Sequence, residues 1–309
     1  MISVAQAKVE IGMKLPGFWK IIASFVIWGA MYASQIPPAN AQAVALMEAG
    51  VVGTSSRLPG SSCGESLASL PVQQALRLVC QRNYETGNNA SGRKAIVIGF
   101  VGGFVKSNDV RHPEVNFAAL LRERDPAIVQ AEVFSNHDGK KARQRLLQLL
   151  DIDGDGTLAS AEKKQASIII YGHSWGGSQT VTLARELGKL GIPVLLTIQL
   201  DSVRKPGQDD STIPDNVKNA INFYQPKGLI HGRSVIHAAD PTRTNILGNI
   251  RMTYARGQVN CDNYPWLARV FNKPHHEIEN DPRVWGQVVS LIDSELKSTS
   301  SVVRASRTE

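Results

Sequence analysis

The chain of 309 residues contains no apolar run of the roughly 20 residues that a membrane-spanning helix needs. It has no internal repeat at a solenoid period and no long low-complexity tract, which excludes stacked-repeat and fibrous architectures. Cysteine is scarce: Cys63, Cys80 and Cys261 are the whole set, and none has metal-ligand spacing, so zinc is not expected. Charge of one sign is not concentrated either. The 34 Lys and Arg against 27 Asp and Glu leave a formal +7, but the basic residues are scattered and form no stripe, so no nucleic-acid footprint is present. What remains, 42% hydrophobic and 20% charged residues, suits one globular domain of ordinary α/β size with small additions.

The N-terminus is a different material. Lys8, Lys14 and Lys20 precede the apolar stretch Ile21 to Ala33, and Ala39-Asn40-Ala41 supplies a small-x-small exit. That order predicts a secretory signal peptide over residues 1–41, cut after Ala41, and places the mature chain outside the cytoplasmic membrane, secreted or periplasmic. The alternative is an N-terminal anchor, for which the apolar stretch is short; no stable transmembrane segment is expected after cleavage. In an oxidising compartment Cys63 and Cys80 could bridge and leave Cys261 alone, but three pairings are possible. Residues 42–93 hold one plausible helix, Val72 to Val79, and a polar linker over 83–92. Residues 297–309, rich in Ser and Arg, are expected to be a disordered tail.

From residue 94 to 296, strand and helix patterns alternate. Ala95 to Ile98, Ala131 to Phe134, Ser167 to Tyr171, Val194 to Leu200 and Ala220 to Tyr224 read as short buried strands. Asn116 to Arg124, Lys140 to Leu150, Gly177 to Leu190 and Val284 to Leu291 have helical spacing. Continuous apolar strands separated by helices predict an α/β fold with a mostly parallel sheet covered on both faces. In such sheets chemistry sits at the carboxyl ends of the strands.

One such end carries Gly172-His173-Ser174-Trp175-Gly176, with a strand before it and a helix after it. A G-x-S-x-G match in that context predicts a nucleophile elbow: the strand reverses into a helix within a few residues and presents the serine at the apex. Gly172 and Gly176 remove side chains that would collide, and the new helix aims its amides at the site, so Trp175 N–H can donate to an oxyanion. With Gly177 added, the chain resembles lipase- and esterase-like members of the α/β-hydrolase superfamily over about residues 94–292. The resemblance implies a Ser, Asp or Glu, His triad in that chain order, and a second oxyanion donor after an earlier strand.

For the donor, Gly99-Phe100-Val101-Gly102-Gly103-Phe104 follows its strand in the right order, without the family's usual His; Phe100 or Val101 would supply the N–H. For the acid, Asp201 ends the strand Val194 to Leu200, with Asp240 in reserve; the family more often places it one strand later, where Asn222-Phe223-Tyr224-Gln225 offers no carboxylate. For the base, the resemblance points to His275, three residues before Ile278 and shortly before Asp281-Pro282, with His276 its neighbour and rival.

A second motif precedes the elbow. Asp151, Asp153, Asp155, Gly156, Thr157, Leu158 and Glu162 fill the key positions of an EF-hand loop over 151–162. Gly156 permits the bend that gathers three short carboxylates, the Thr157 carbonyl adds an oxygen, and Glu162 reaches back with two more. Four carboxylates this close repel without a cation, so Ca2+ is expected; with no second loop to pair with, its role is expected to be structural.

The sequence therefore predicts a secreted serine hydrolase cleaving a small-molecule or lipid acyl ester through Ser174, Asp201 and His275, with Phe100 and Trp175 at the oxyanion and a structural calcium. The alternative is a non-catalytic calcium-binding or interaction protein on the same scaffold.

Overall fold

Ala95–Val101 forms strand β1 and is buried along its whole length. A strand with no polar face is stable only where both faces are covered. In the computed structural model, which describes residues 72–74, 76–77, 94–255, 259–262, 264 and 266–305, β1 lies inside a six-stranded sheet. It pairs in parallel with β2 (Val129–Ser135) and β3 (Ile168–His173). Beyond β3 come β4 (Val194–Leu200), β6 (Val217–Tyr224) and β8 (Asn245–Arg251), giving the order β2-β1-β3-β4-β6-β8 with every pairing parallel. Two short strands, β5 (Thr212–Ile213) and β7 (His237–Ala238), pair separately.

Parallel neighbours need crossovers, and helices supply most of them. Helix α1 (Pro113–Arg124) joins β1 to β2; α2 (Gly139–Leu150) and the short α3 (Ser160–Lys164) join β2 to β3; α4 (Trp175–Lys189) joins β3 to β4. Helices α5 (Trp266–Glu279) and α6 (Pro282–Ala305) follow β8.

Alternation along β3 explains why its apolar run is unbroken. Ile168 and Ile170 pack with Leu146 and Leu150 of α2 and Val181 and Leu187 of α4. Ile169 and Tyr171 face the other way, with Phe117 of α1 and Trp285 and Val288 of α6. Each face of the sheet thus has its own core.

The strand and helix positions read from the sequence recur with ends shifted by a few residues. Strands β5 and β7 have no counterpart in the sequence reading, and three further elements differ from it. Strand β8 is half-exposed and rich in Asn, so no apolar run marked it. Helix α5 contains Pro274 and a non-helical break at Asn272, which interrupt the helical pattern. Helix α6 continues through Ala305, well past the expected end near Leu291 and into the stretch 297–309 expected to be disordered. Val288, Ile292 and Leu296 explain its length: at four-residue spacing they extend one buried stripe.

Residues 1–41 lie outside the described residues, as do Cys63, Cys80 and the 83–92 linker. From the segment 42–93, residues 72–74 and 76–77 are helical, and Val72 and Leu76 join the core on the α1 and α6 side. Among the described residues no helix is long and apolar enough to cross a membrane, and Cys261 is a buried free thiol.

Trp285 is the keystone of the α1 and α6 side. It is fully buried, stands edge-on to Tyr171 with centroids 6.0 Å apart, and donates its indole N–H to the Glu279 carbonyl at 2.7 Å. Trp285→Ala should cost about 3–5 kcal/mol of stability. Urea unfolding measures this; a midpoint unchanged from wild type would show that this packing does not hold the core.

Candidate active site

Ser174 follows the last residue of β3 and takes φ 57° and ψ −124°, a conformation that strains a residue with a β-carbon. Backbone hydrogen bonds hold it there. Its N–H donates to the Leu200 carbonyl at 3.0 Å, and its carbonyl accepts from Gly177 at 3.0 Å and Val203 at 3.1 Å. The turn closes so tightly that a β-carbon on Gly176 would collide with the Phe100 carbonyl. A sharp strand-to-helix turn with a strained serine at its apex is therefore present where the motif predicts it.

The strand ends then step along the sheet in register. Ser174 N–H bonds to the last residue of β4, and Asp201 N–H, one residue past β4, donates to Phe223 in β6 at 2.7 Å. Asp201 also has a left-handed backbone, φ 44°. Its buried carboxylate accepts four hydrogen bonds: from the Gln225 N–H (3.1 Å) and side-chain amide (2.8 Å), from Gly232 N–H (2.8 Å), and from His275 Nδ1 (2.6 Å). Burial pushes its pKa up, but the His275 bond, the charge of that ring and the Gln225 donors outweigh it and hold the group below its ordinary value. The structure thus brings Asp201 and His275 together across 74 residues of sequence.

His275 sits on α5 immediately after Pro274 and is buried. With Nδ1 engaged by Asp201, its other ring nitrogen, Nε2, is the one left for a proton-transfer partner. His173, inside the elbow, packs against His275 with ring centroids 4.4 Å apart, and its Nε2 lies 3.1 Å from the His275 carbonyl oxygen. Burial pulls the His173 pKa down to about 3, so the ring is neutral and its Nε2–H donates to that carbonyl. His173 braces the segment that carries His275.

The rivals go elsewhere. His276 stacks on Tyr264 with centroids 4.0 Å apart and turns its Nδ1 toward Glu279, 3.7 Å away. Asp240 accepts from the N–H and hydroxyl of Thr242 within its own turn. Phe100 lies within β1, aligned with β2 on one side and β3 on the other. In the loop that follows, the backbone of Gly102 passes so close to the turn that a β-carbon there would lie 2.8 Å from Ser174 Cβ. Beyond it, Phe104, His137 and Trp175 form a ring cluster with centroids 5.6 to 6.0 Å apart, Phe104 being 70% exposed. Of the residues that hold the site, sequence reasoning missed Gln225, whose only signal is a polar side chain directly after an apolar strand.

The acidic loop lies between α2 and β3. Carboxylate oxygens of Asp151, Asp153 and Asp155 lie within 4.8 Å of one another. Asp151 accepts from the Gly154 and Gly156 N–H groups, each at 2.9 Å, and Gly156 has φ 81°, the left-handed bend that favours glycine. Glu162 is mostly buried and accepts from Ile152 N–H (2.8 Å) and Ala159 N–H (2.9 Å), so its carboxylate closes the loop from the far end. Three converging carboxylates, with a fourth at the loop closure, fit the oxygen-rich donor set that calcium requires.

No protein-family model matches the chain, and no curated protein matches it. Among solved structures it is similar to a dienelactone hydrolase-like promiscuous phosphotriesterase from metagenomic libraries, at 16% identity over 67% of this chain and 88% of that one, TM-score 0.33. A hormone-sensitive lipase from a metagenome library aligns at 11% identity over 74% and 92% of the two chains, TM-score 0.34. An ester hydrolase from the metagenome of Lake Arreo aligns at 12% identity over 83% and 100%, TM-score 0.30. At these identities and scores the likeness decides neither family nor substrate. The fold class rests on the molecule itself: a parallel sheet with helices on both faces and a strained serine turn at a strand's carboxyl end, the α/β-hydrolase arrangement.

The lowered pKa of Asp201 fixes a sign for pH dependence. A carboxylate depressed in the folded state contributes stability that is fully present above its ordinary value of 3.8 and is lost as pH falls through the lower folded value. The melting-temperature gap between wild type and Asp201→Asn should be constant above about pH 5 and narrow below pH 3.8. Thermal melts across that range test it; a gap independent of pH would mean that the carboxylate's charge does not support the fold.

Proposed function

We propose that the chain is an exported serine hydrolase that cleaves carboxylic esters. The observation that carries this reading is the 2.6 Å Asp201–His275 bond, buried beside the strained Ser174 at the carboxyl end of the sheet. His275 Nε2 takes the Ser174 proton as Oγ attacks the acyl carbonyl carbon. Asp201 holds the imidazole in the required tautomer and stabilises the imidazolium. The tetrahedral oxyanion accepts from the Trp175 N–H at the start of α4 and from an amide of the Gly102–Phe104 turn; that assignment replaces Phe100 as the second donor. Collapse breaks the ester bond, and His275 returns its proton to the leaving alcohol. Water, deprotonated by the same nitrogen, then releases the acid and restores Ser174.

The aromatic cluster of Phe104, His137 and Trp175 supports an apolar or aromatic group on the ester. Export rests on the pattern of residues 1–41 alone. Calcium would be held by the carboxylates of Asp151, Asp153, Asp155 and Glu162 and the Thr157 carbonyl, and it would neutralise charge and order the loop that leads into β3.

Two experiments test these points. An active-site fluorophosphonate should label wild type, while Ser174→Ala should neither label nor cleave short p-nitrophenyl esters, with turnover down by at least about a thousandfold. Full labelling of the variant would remove Ser174 from the mechanism; calcium binding without any labelling of wild type would favour the non-catalytic alternative. Separately, excess calcium over chelator should raise the melting temperature by roughly 5 °C or more, and Asp153→Asn should reduce that rise. A melting temperature that ignores calcium would sink the structural role.

A further inference from the structure

Behind the elbow lies a cluster that the proposed ester cleavage does not use. Glu114, in the first turn of α1, and Glu279, at the end of α5, bury their carboxylates beside each other, both almost inaccessible to solvent. Neither Glu114 oxygen accepts a hydrogen bond from an N–H or O–H donor among the described residues, and His276 Nδ1 is likewise unpartnered. Burial and the neighbouring Glu279 charge raise the Glu114 pKa well above its ordinary value. Glu279 has a counter-charge in His112, whose Nδ1 lies 2.6 Å from its Oε1 and whose pKa that contact raises against burial; the Glu114 carboxylate beside it has none and requires a proton or a metal ion.

The spacings leave room for an ion. His173 Nδ1 lies 3.5 Å from Glu279 Oε2 and 3.8 Å from Glu114 Oε1, and His276 Nδ1 lies 3.7 Å from Glu279 Oε2. These are too long for hydrogen bonds. They match the edge of a tetrahedron of N and O ligands around a zinc-sized ion, roughly 3.4 Å for bonds of about 2.0–2.1 Å. A ring nitrogen of His112 and carboxylate oxygens of Glu114 and Glu279 also lie within 4.8 Å of one another.

The outer partners have the form that a metal site needs. His173 donates Nε2–H to the His275 carbonyl, which leaves the Nδ1 lone pair facing the two carboxylates. Glu279 is held by His112 Nδ1 at 2.6 Å and by the Tyr264 hydroxyl at 2.5 Å. We propose that Glu114, Glu279 and His173, with His276 at the rim, bind a divalent transition metal of the zinc type, whose mixed imidazole and carboxylate ligands set it apart from the all-oxygen calcium loop. The ion ties α1, the end of β3 and α5 together directly behind His275.

The test reads metal and not activity, so its outcome is separate from that of the ester-hydrolase reading. The full chain carrying Asp151→Asn, Asp153→Asn and Asp155→Asn, which disables the acidic loop, is stripped with a strong chelator. It is then titrated with Zn2+, measured as metal retained after desalting, and with Co2+, read by its ligand-field absorption. One retained equivalent and the intense absorption of a four- or five-coordinate cobalt site are expected. Glu114→Gln should weaken zinc binding at least about tenfold. If Glu114→Gln does not fold, Glu279→Gln and the more peripheral His112→Gln serve in its place, with the same weakening expected. No retained zinc and no cobalt spectrum would overturn the proposal and leave a proton shared by the two carboxylates. Zinc retained with unchanged affinity in the variants would overturn it as well.

Discussion

A carboxylate can be buried only where the fold delivers enough donors to replace water, and Asp201 is where this molecule meets that demand. Its four hydrogen bonds come from the end of β6, from the loop at Gly232 and from α5, so three separate segments must be in register before the group is stable. The same register sets Ser174, because its N–H bonds to the last residue of β4, one position before Asp201. Serine, acid and imidazole are consequences of one alignment of strand ends. The lowered pKa of Asp201 is the electrostatic result: the donors, with His275 foremost, outweigh the burial.

Much of this was legible in the sequence, for specific reasons. Strand β3 could be read because both of its faces are apolar, and Ser174 because a glycine-rich elbow is a local device. The partners proposed for Ser174 are not local. Asp201 and His275 are 74 residues apart, and only the chain order of a resembling family pointed to them. Helix α5 was hidden by Pro274, which reads as a breaker but here sits just beyond the irregular residue Asn272. Phe100 falls within β1, and a β-carbon on Gly102 in the loop after it would lie against Ser174. The cluster of His112, Glu114, His173 and Glu279 had no signal, because its members come from three elements and share no spacing.

The acidic loop and the buried Glu cluster flank the elbow differently. The loop lies before β3, exposed and closed by Glu162 through the backbone of Ile152 and Ala159. The cluster lies behind the turn and connects to His275 through the bond from His173 to the His275 carbonyl. Both put negative charge where the fold alone would repel it, and both adjoin the strand that presents Ser174. Cations bound at both, as proposed, would brace the elbow, whose serine is strained, at its entry and at its back.

The central claim is that the Asp201–His275 pair serves chemistry at Ser174 and not merely packing. Its most direct test is the turnover number of Asp201→Asn on a short p-nitrophenyl ester, with folding verified by circular dichroism. Loss of the carboxylate misplaces the His275 proton and removes the counter-charge of the imidazolium, so a folded variant should turn over about ten-thousandfold more slowly. A folded Asp201→Asn enzyme within about tenfold of wild type would contradict the account.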